Sequence, residues 1–328
     1  MPADVAWSPP LGELPREPGL EHRIRLDPDD RDALAVYADF LAEAGDPRGS
    51  VLAAWLLATG PAGDRELLQR VEQWTWSHSR RLTRGLRGGG STALTGFRGP
   101  LPDHVNRLTR SDLGRILSAP EAVALRSVDL MQMRGRVDEW LSALADRERP
   151  SPLRRLKLSW VNPLGVDLSA RWHAFDGLDE VLLHGAIASF GDVVLPSVTR
   201  LRVEAGAVTP PELGTWETPR LQELRLEWGT VPPDVLATLL ASPHLEVLGV
   251  EDGQLLSAIL DAPGSRRLRR LELPCGPDVR DLVPVPHALA GLARLVVVEE
   301  PYLLDPADRR ALEAAWGPRL EVRRSTRA

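Results

Sequence analysis

Two features of the sequence contain residue types that phosphate or metal binding uses, namely a glycine-rich segment and the histidines. GGGST at residues 88–92 has the glycines of a phosphate-binding loop, but no lysine follows and the first glycine of that spacing is missing. We interpret it as a linker. The seven histidines, among them His173, His184 and His244, show neither HExxH nor any paired ligand spacing. We therefore expect surface or packing histidines, no metal and no cofactor.

Nucleophilic chemistry has equally little support. No GxSxG stretch marks a nucleophilic serine, although serine, histidine and aspartate all occur. The single cysteine, Cys275, follows the last inward residue of a predicted strand, which favours a packing or surface role. A lone cysteine also excludes a disulfide within the chain. The residue pattern favours a protein that is not an enzyme.

Charged residues suggest two further sites, each with a simpler explanation. Asp39, Asp46 and Arg48 could form a charged site, but helix caps and a local ion pair account for them. The arginine-rich segment 80–98 follows Trp74 and indicates nucleic-acid binding as an alternative function. Its arginines also suit a solvated face or ion pairs with the acidic N-terminal part. The four that open the segment are Arg80, Arg81, Arg84 and Arg87.

Composition favours a soluble protein without a nucleic-acid bias. The net charge is −6, and Lys157 is the only lysine among the basic residues. Residues 1–60 are acidic and residues 61–119 are basic, so a domain-wide positive excess is missing. No long apolar run and no signal-peptide pattern occurs. We expect a cytoplasmic location and no membrane partner.

A repeat organises the second part of the chain. LQELRLEWG at residues 221–229 carries leucine at positions one, four and six, and eight such triplets begin at steps of 28, 25, 20, 23, 24, 23 and 24 residues. Each triplet predicts a short strand, and the remainder of each unit brings the chain back beside itself. A weaker ninth strand carries Leu320 and Val322. The triplets begin at Leu125, Leu153, Leu178, Val198, Leu221, Leu245, Leu268 and Leu292.

This LxxLxL pattern resembles the leucine-rich repeat family. The resemblance implies an α/β solenoid, with a curved parallel sheet and an irregular or short-helical outer side. The asparagine that the family often places after the strand is missing, and glycine stands there in four repeats. We expect tight turns with positive φ at those glycines. They are Gly206, Gly229, Gly253 and Gly276.

The return segments differ among themselves. Residues 232–243 and 135–149 predict helices, because apolar residues recur at helical spacing. Residues 209–219 contain too many breakers for more than a turn. The stretch 93–108 predicts an irregular first strand that caps the solenoid.

The N-terminal part predicts two helices that meet across a tight turn. Asp27 or Asp29 would cap the first, Gly45 would end it, and Asp46 would cap the second. The stretch DPDDRDALAVYADFLAEAGDPRG resembles a small bacterial repeat-companion domain, with phenylalanine where that family usually has tryptophan. No established activity follows from this resemblance. Its motif residues are Tyr37, Ala38, Asp39, Gly45, Asp46, Arg48 and Gly49.

Residues between the leucines of each triplet are expected on the open face of the sheet. Adjacent strands lie about 4.8 Å apart, so Arg202 should lie beside Arg225, and three glutamates should form an acidic row. Diagonal ion pairs or a matched partner would both account for these charges. Near the C-terminus, Val296 and Val298 should be covered by the terminal helix or by a partner. The candidate partner-binding residues are Lys157, Leu182, Arg202, Glu204, Arg225, Glu227, Glu251, Val296 and Val298.

Together these patterns predict a non-enzymatic interaction scaffold or adaptor that binds another protein on the concave face and rim of the solenoid, with no small-molecule substrate. We divide the chain into four parts. They are an extension at residues 1–19, a helical companion domain at 20–60, a connecting helix and cap at 61–119, and the repeats at 120–328.

Overall fold

The computed structural model shows an α/β protein built on an 11-stranded, mostly parallel sheet. Two compact units are present, the first comprising the described residues up to Lys157 and the second those from Leu158 onward. The structure describes residues 13–83, 86, 93–108, 116–117, 119–133, 153–160, 166–167, 177–185, 187–205, 212–228, 233–251, 255–275, 277–284, 286, 289–299 and 304–324.

The described helices lie mainly near the start of the chain. They are α1 (Pro18–Leu26), α2 (Arg31–Glu43), α3 (Pro47–Ala58), α4 (Arg65–Leu82), α5 (Pro233–Leu240), α6 (Leu256–Asp261) and α7 (Pro306–Trp316). The predicted helices at 20–60, in the first part of 61–119 and at 232–243 are therefore confirmed. The predicted helix at 135–149 lies outside the described residues, as do the GGGST segment and the four glycine turns.

The structure describes fourteen strands, nine of which coincide with the eight leucine triplets and the weaker ninth strand. They are β1 (Ala93–Arg98), β2 (Leu101–Leu108), β3 (Ser127–Met133), β4 (Arg155–Trp160), β5 (Val166–Asp167), β6 (Glu180–His184), β7 (Ile187–Val194), β8 (Arg200–Ala205), β9 (Glu212–Glu217), β10 (Glu223–Trp228), β11 (Val247–Val250), β12 (Arg270–Pro274), β13 (Arg294–Glu299) and β14 (Leu320–Arg324). The order in the large sheet is β1-β2-β3-β4-β6-β8-β10-β11-β12-β13-β14. All nine predicted repeat strands are confirmed.

Burial of the triplets explains why the strands form where they do. Every residue at positions one, four and six of the eight triplets is at most 5% exposed. A strand alternates its side chains between two faces, so burying positions four and six turns the intervening residue to the other face. Each buried leucine contributes about 1.5–3 kcal/mol relative to leaving it in water.

A ladder of backbone hydrogen bonds joins neighbouring repeats at the starts of six strands, β4, β8, β10, β11, β12 and β13. The carbonyl of Thr199 accepts hydrogen bonds from the N–H groups of Gln222 (2.8 Å) and Glu223 (2.9 Å). In the next repeat, the carbonyl of Gln222 accepts hydrogen bonds from the N–H groups of Glu246 and Val247, at 2.9 Å each. The same pattern recurs at the carbonyls of Arg126, Asp179, Glu246 and Arg269. This ladder satisfies main-chain groups in a repeat that lacks the asparagine.

A second sheet corrects the interpretation of one return segment. Three parallel strands pair in the order β5-β7-β9, within the second unit. The stretch 209–219 was predicted to form only a turn, but β9 occupies residues 212–217. Pairing with β7 supplies the hydrogen bonds that propensity alone does not favour, because strand formation depends strongly on neighbouring chain.

In the first unit, the helices share a core with the residues that follow them. Leu34, Tyr37 and Leu41 of α2 pack with Leu101 and Val123 in one buried cluster. The N-cap of α2 is Asp30, whose carboxylate accepts from the N–H of Ala33, so the prediction of Asp27 or Asp29 is wrong. The reason is local, since Asp27 ends α1 and accepts from the N–H of Asp29 instead.

The turn between α2 and α3 and the close packing of the two helices each depend on one glycine. Gly45 has φ +73°, the left-handed conformation expected at a helix end, and Asp46 caps α3 as predicted. A Cβ atom at Gly49 would lie 2.4 Å from the backbone nitrogen of Ala42 and 2.5 Å from the carbonyl oxygen of Ala38. The two helices therefore cross at a separation that only glycine permits.

We expect Gly49→Ala to lower the free energy of unfolding by about 2 kcal/mol or more, because the backbone of α2 must move. Chemical denaturation followed by circular dichroism measures this change. Gly19→Ala is the matched control, since its added Cβ meets only the movable carboxylate of Glu17. Equal effects of the two substitutions would contradict the close crossing.

Candidate interaction surface

The open face of the second unit presents two rows of in-register side chains. Leu182 pairs with Arg202, and Arg202 pairs with Arg225, in the parallel ladders of β6, β8 and β10. In the next row His184 pairs with Glu204, and Glu204 with Glu227. The predicted juxtaposition of like charges in neighbouring strands is confirmed. Glu251 follows the end of β11 and is exposed.

Diagonal ion pairs compensate for the like charges. The Arg202 guanidinium lies 2.8 Å from Glu204 on its own strand and 2.5 Å from Glu227 on the next strand. His184 lies 2.8 Å from Glu204 through Nδ1. Each pair is partly exposed, so its net contribution to stability is about 0–1 kcal/mol. The pairs instead hold long side chains in defined positions across the face.

One ion pair spans two strand spacings because a glycine lies between its partners. Gly249 stands in register between Arg225 of β10 and Glu272 of β12. The guanidinium of Arg225 reaches across to donate to the Glu272 carboxylate at 2.6 Å. A Cβ at position 249 would already touch the Arg225 side chain at 3.4 Å. Any larger side chain there would separate the pair.

Glu272 is the centre of this network. Its side chain is only 8% exposed and contacts Arg225, Arg270 and, at 4.0 Å, Arg323. Since β13 lies between β12 and β14, the contact with Arg323 crosses β13. We did not predict Glu272 as a site residue, because the repeat period does not show how far side chains reach across strands.

The two C-terminal valines have different environments. Val296 is completely buried and stands in register between Glu272 and Glu321. It cannot contact a partner, so its prediction as a binding residue is wrong. Helix α7 packs against residues 277–282 and β14, with the Trp316 indole donating to the Leu282 carbonyl at 3.0 Å. Val298 is half-buried.

Lys157 of β4 belongs to the first unit, where His104, Ser127 and Asp129 form a second group of polar residues. Desolvation raises the pKa of Asp129, and the charges of His104 and Lys157 oppose that rise. His104 bonds Ser127 through Nδ1 at 2.8 Å, while its Nε2 is 4.0 Å from the Asp129 carboxylate. That separation is too long for the carboxylate to orient the imidazole as an activated serine requires. Sequence spacing gave no signal for this group.

The residues that carry the N-terminal resemblance have structural roles. Asp46 and Arg48 form a buried ion pair at 2.5 Å, with side chains 6% and 3% exposed. Tyr37 is completely buried, and burial together with the nearby Glu21 charge raises the pKa of its phenol. Ala38 is buried at the helix crossing, whereas Asp39 is exposed and does not join the pair. The cap and ion-pair interpretation accounts for Asp46 and Arg48.

The arginine-rich segment is only partly described. Arg80 and Arg81 are exposed on α4, and Trp76 beside them is 69% exposed. Arg98 is half-buried and paired with Asp29 at 2.9 Å, and its guanidinium lies over the Trp55 ring at 5.1 Å. Arg84 and Arg87 lie outside the described residues. The guanidinium of Arg98 therefore already makes contacts within the first unit.

Other chemistry has limited structural support. Burial raises the pKa of the Cys275 thiol, which is opposite to the shift that activates a nucleophile. Among the described residues, no group of three or more His, Cys, Asp or Glu could hold a metal ion. The helices in the described part of the chain are too short or too polar to cross a membrane.

Comparisons with known proteins add no relative. No family model matches the chain, and neither curated proteins nor solved structures give a match.

We expect a double-mutant cycle on Arg225→Ala and Glu272→Ala to give a coupling energy of about 1.5 kcal/mol, because Glu272 is nearly buried and the bond is charged on both sides. Urea denaturation of the four proteins measures it. The exposed pair Arg309 and Glu313, 3.0 Å apart on α7, is the control and should couple by about 0.3–0.5 kcal/mol. A coupling no larger than the control would contradict the central role of Glu272.

Proposed function

We propose that this chain is a non-enzymatic scaffold that binds another protein on the open strand face of its second unit. The observation that carries the proposal is the set of in-register, ion-paired rows formed by β6, β8 and β10. Repeated parallel strands of this kind suit an extended binding surface, because each repeat adds one strand to the same face and so lengthens both rows.

The charge pattern favours a protein partner for this face. Arginine and glutamate follow each other along β8 and β10, and the arginines pair with carboxylates on neighbouring strands, as Arg202 does with Glu227 and Arg225 does with Glu272. A nucleic-acid surface would require a net excess of basic residues to displace counterions from phosphates. A mixed surface instead suits a protein partner that presents the complementary pattern of positive and negative groups.

The ion pairs also reduce the entropic cost of binding. Arginine and glutamate side chains lose about 0.5–1.5 kcal/mol each when a partner immobilises them. Here the guanidiniums are already held by carboxylates of their own chain, and Leu182 adds a half-buried apolar side chain in register with Arg202. The exposed carboxylate of Glu251 and the half-exposed His184 extend the same surface.

The resemblance to leucine-rich repeats supports the same proposal. The period, the buried triplets and the parallel strands agree with a curved solenoid of that family. The N-terminal resemblance to a bacterial repeat-companion domain is consistent with it, and an adaptor form would use the helical part for a second partner. In this proposal the protein acts in the cytoplasm and uses no cofactor.

Reversing one ion pair tests the face without removing the pair. In the double variant Arg202→Glu with Glu227→Arg, the chain keeps opposite charges at these positions but presents them to a partner in reverse. We expect affinity purification from the native host, followed by mass spectrometry, to lose the main partner at least tenfold. Unchanged thermal unfolding would show that the fold persists.

The matched control reverses the exposed pair on α7, as Arg309→Glu with Glu313→Arg, and should retain every partner. If the strand-face variant also retains them all, this face is not the binding surface. A partner that survives the strand-face reversal but is lost from variants elsewhere would locate the second surface that an adaptor requires.

Oligonucleotide binding distinguishes the alternative function. We expect fluorescence anisotropy with single- and double-stranded DNA or RNA to show no binding tighter than about 100 μM at roughly 150 mM salt, a weaker affinity than non-specific binders typically have. Micromolar binding with a steep salt dependence, reduced by Arg80→Glu and Arg81→Glu, would instead support nucleic-acid recognition through segment 80–98.

A further inference from the structure

Strand β14 is the last strand of the large sheet in the described part of the chain. Residues Leu320–Arg324 pair in parallel with β13, and no strand of the described chain follows on the other side. An edge strand offers a row of N–H and C=O groups that another extended chain can pair with. The opposite terminal strand, β1, differs because Phe97 at its end packs against the buried cluster of Val51 and Trp74.

The core side of β14 remains incompletely covered. Leu320 and Val322 stand in register with Leu295 and Val297, which are both completely buried. Leu320 and Val322 themselves are only half-buried. A further strand beside β14 would cover these two side chains as β14 covers those of β13.

We propose that β14 pairs antiparallel with β14 of a second copy of this chain, around a two-fold axis at Val322. The two-fold axis must be perpendicular to the sheet if both copies are to turn their apolar side chains to the same face. In such an antiparallel pair, one residue lies directly opposite its own copy, at the axis. In the pair centred on Val322, all five residues of the strand have a partner. Glu321 then lies directly opposite Arg323 of the second copy, and Arg323 opposite Glu321.

Charge selects this register over its neighbours. Centring the pair on Glu321 would place two carboxylates opposite each other, and centring it on Arg323 would place two guanidiniums together. Like charges directly opposite destabilise a strand pair, whereas opposite charges contribute about 0.2–1 kcal/mol each. The Val322 register is therefore the symmetric pairing that joins opposite charges twice and brings two valines into contact.

The two charged side chains are already held on the correct face. Arg323 lies 2.5 Å from Glu321 on its own strand, and Arg294 lies 3.1 Å from Glu321. The hydrogen bond from Arg323 lowers the pKa of Glu321 and so favours the charged carboxylate. A second copy would extend these pairs across the axis. The resulting dimer would present two strand faces, which goes beyond the proposed partner binding and does not depend on it.

Charge reversal with rescue tests the interface. Sedimentation velocity of the full chain between about 1 and 100 μM should show a monomer–dimer equilibrium. Glu321→Arg and Arg323→Glu, each alone, place like charges opposite and should raise the dimer dissociation constant at least tenfold. The double variant restores opposite charges and should recover the dimer. The single substitution Arg309→Glu on α7 is the control and should leave it unchanged.

A cross-link tests the register independently of stability. With Cys275→Ser as background, Val322→Cys should form a disulfide-linked dimer under mild oxidation, because residues opposite each other lie about 4.5–5.5 Å apart. Leu320→Cys is the control, since residue 320 would lie about 13 Å from its own copy along the strand. Circular dichroism confirms that each variant folds.

Three results would overturn the proposal. They are a wild-type monomer at every concentration, a dimer that both single reversals leave intact, and cross-linking of Leu320→Cys in preference to Val322→Cys. The second result would place the contact elsewhere on the chain, and the third would indicate another register between the two copies.

Discussion

Burial of three apolar residues in every repeat is the constraint on which the rest of the structure depends. The side chains at positions one, four and six can leave water only if each strand lies beside the next with the same positions aligned. The observed registers, such as Leu201 with Leu224 and Leu224 with Leu248, meet this condition. The ladder of backbone hydrogen bonds at the starts of six strands follows from that alignment, because it brings the same carbonyl beside the same two N–H groups in each of those repeats.

The same alignment brings like charges together on the opposite face, and ion pairs between neighbouring strands compensate for them. In-register strands place Arg202 beside Arg225 and Glu204 beside Glu227, so like charges meet along the sheet. Arginine and glutamate side chains are long enough to pair diagonally, and at Gly249 the missing side chain allows a pair to span two strands. The result is a face whose charges are nearly all committed to one another. Such a face is suited to recognition by shape and hydrogen bonding more than by net charge.

The first unit follows a different organisation, in which arginines join segments that are distant in the sequence. Arg126 bonds Asp103 at 2.5 Å and Asp29 at 2.9 Å, and Arg98 also pairs with Asp29. The shared core of Leu34, Leu101 and Val123 joins the same segments through apolar contacts. The helices and the residues that follow them therefore depend on each other for stability. Removing the helical segment would expose the apolar side chains that it covers.

The amino-acid sequence by itself determined the nine repeat strands, the face that each residue occupies and the helix ends at Gly45 and Asp46. These features follow from periods of two and of about two dozen residues, and from local backbone preferences, which neighbouring residues suffice to set. Only the tertiary structure decided that Glu272 is the centre of the ion-pair network, that Val296 is buried and that residues 212–217 form a strand. Each of these depends on contacts between residues 20 to 50 positions apart, such as Arg225 with Glu272. Which side chains meet across several strands, and which strands pair, depends on how distant segments are placed in the folded chain. A local sequence pattern does not contain that information.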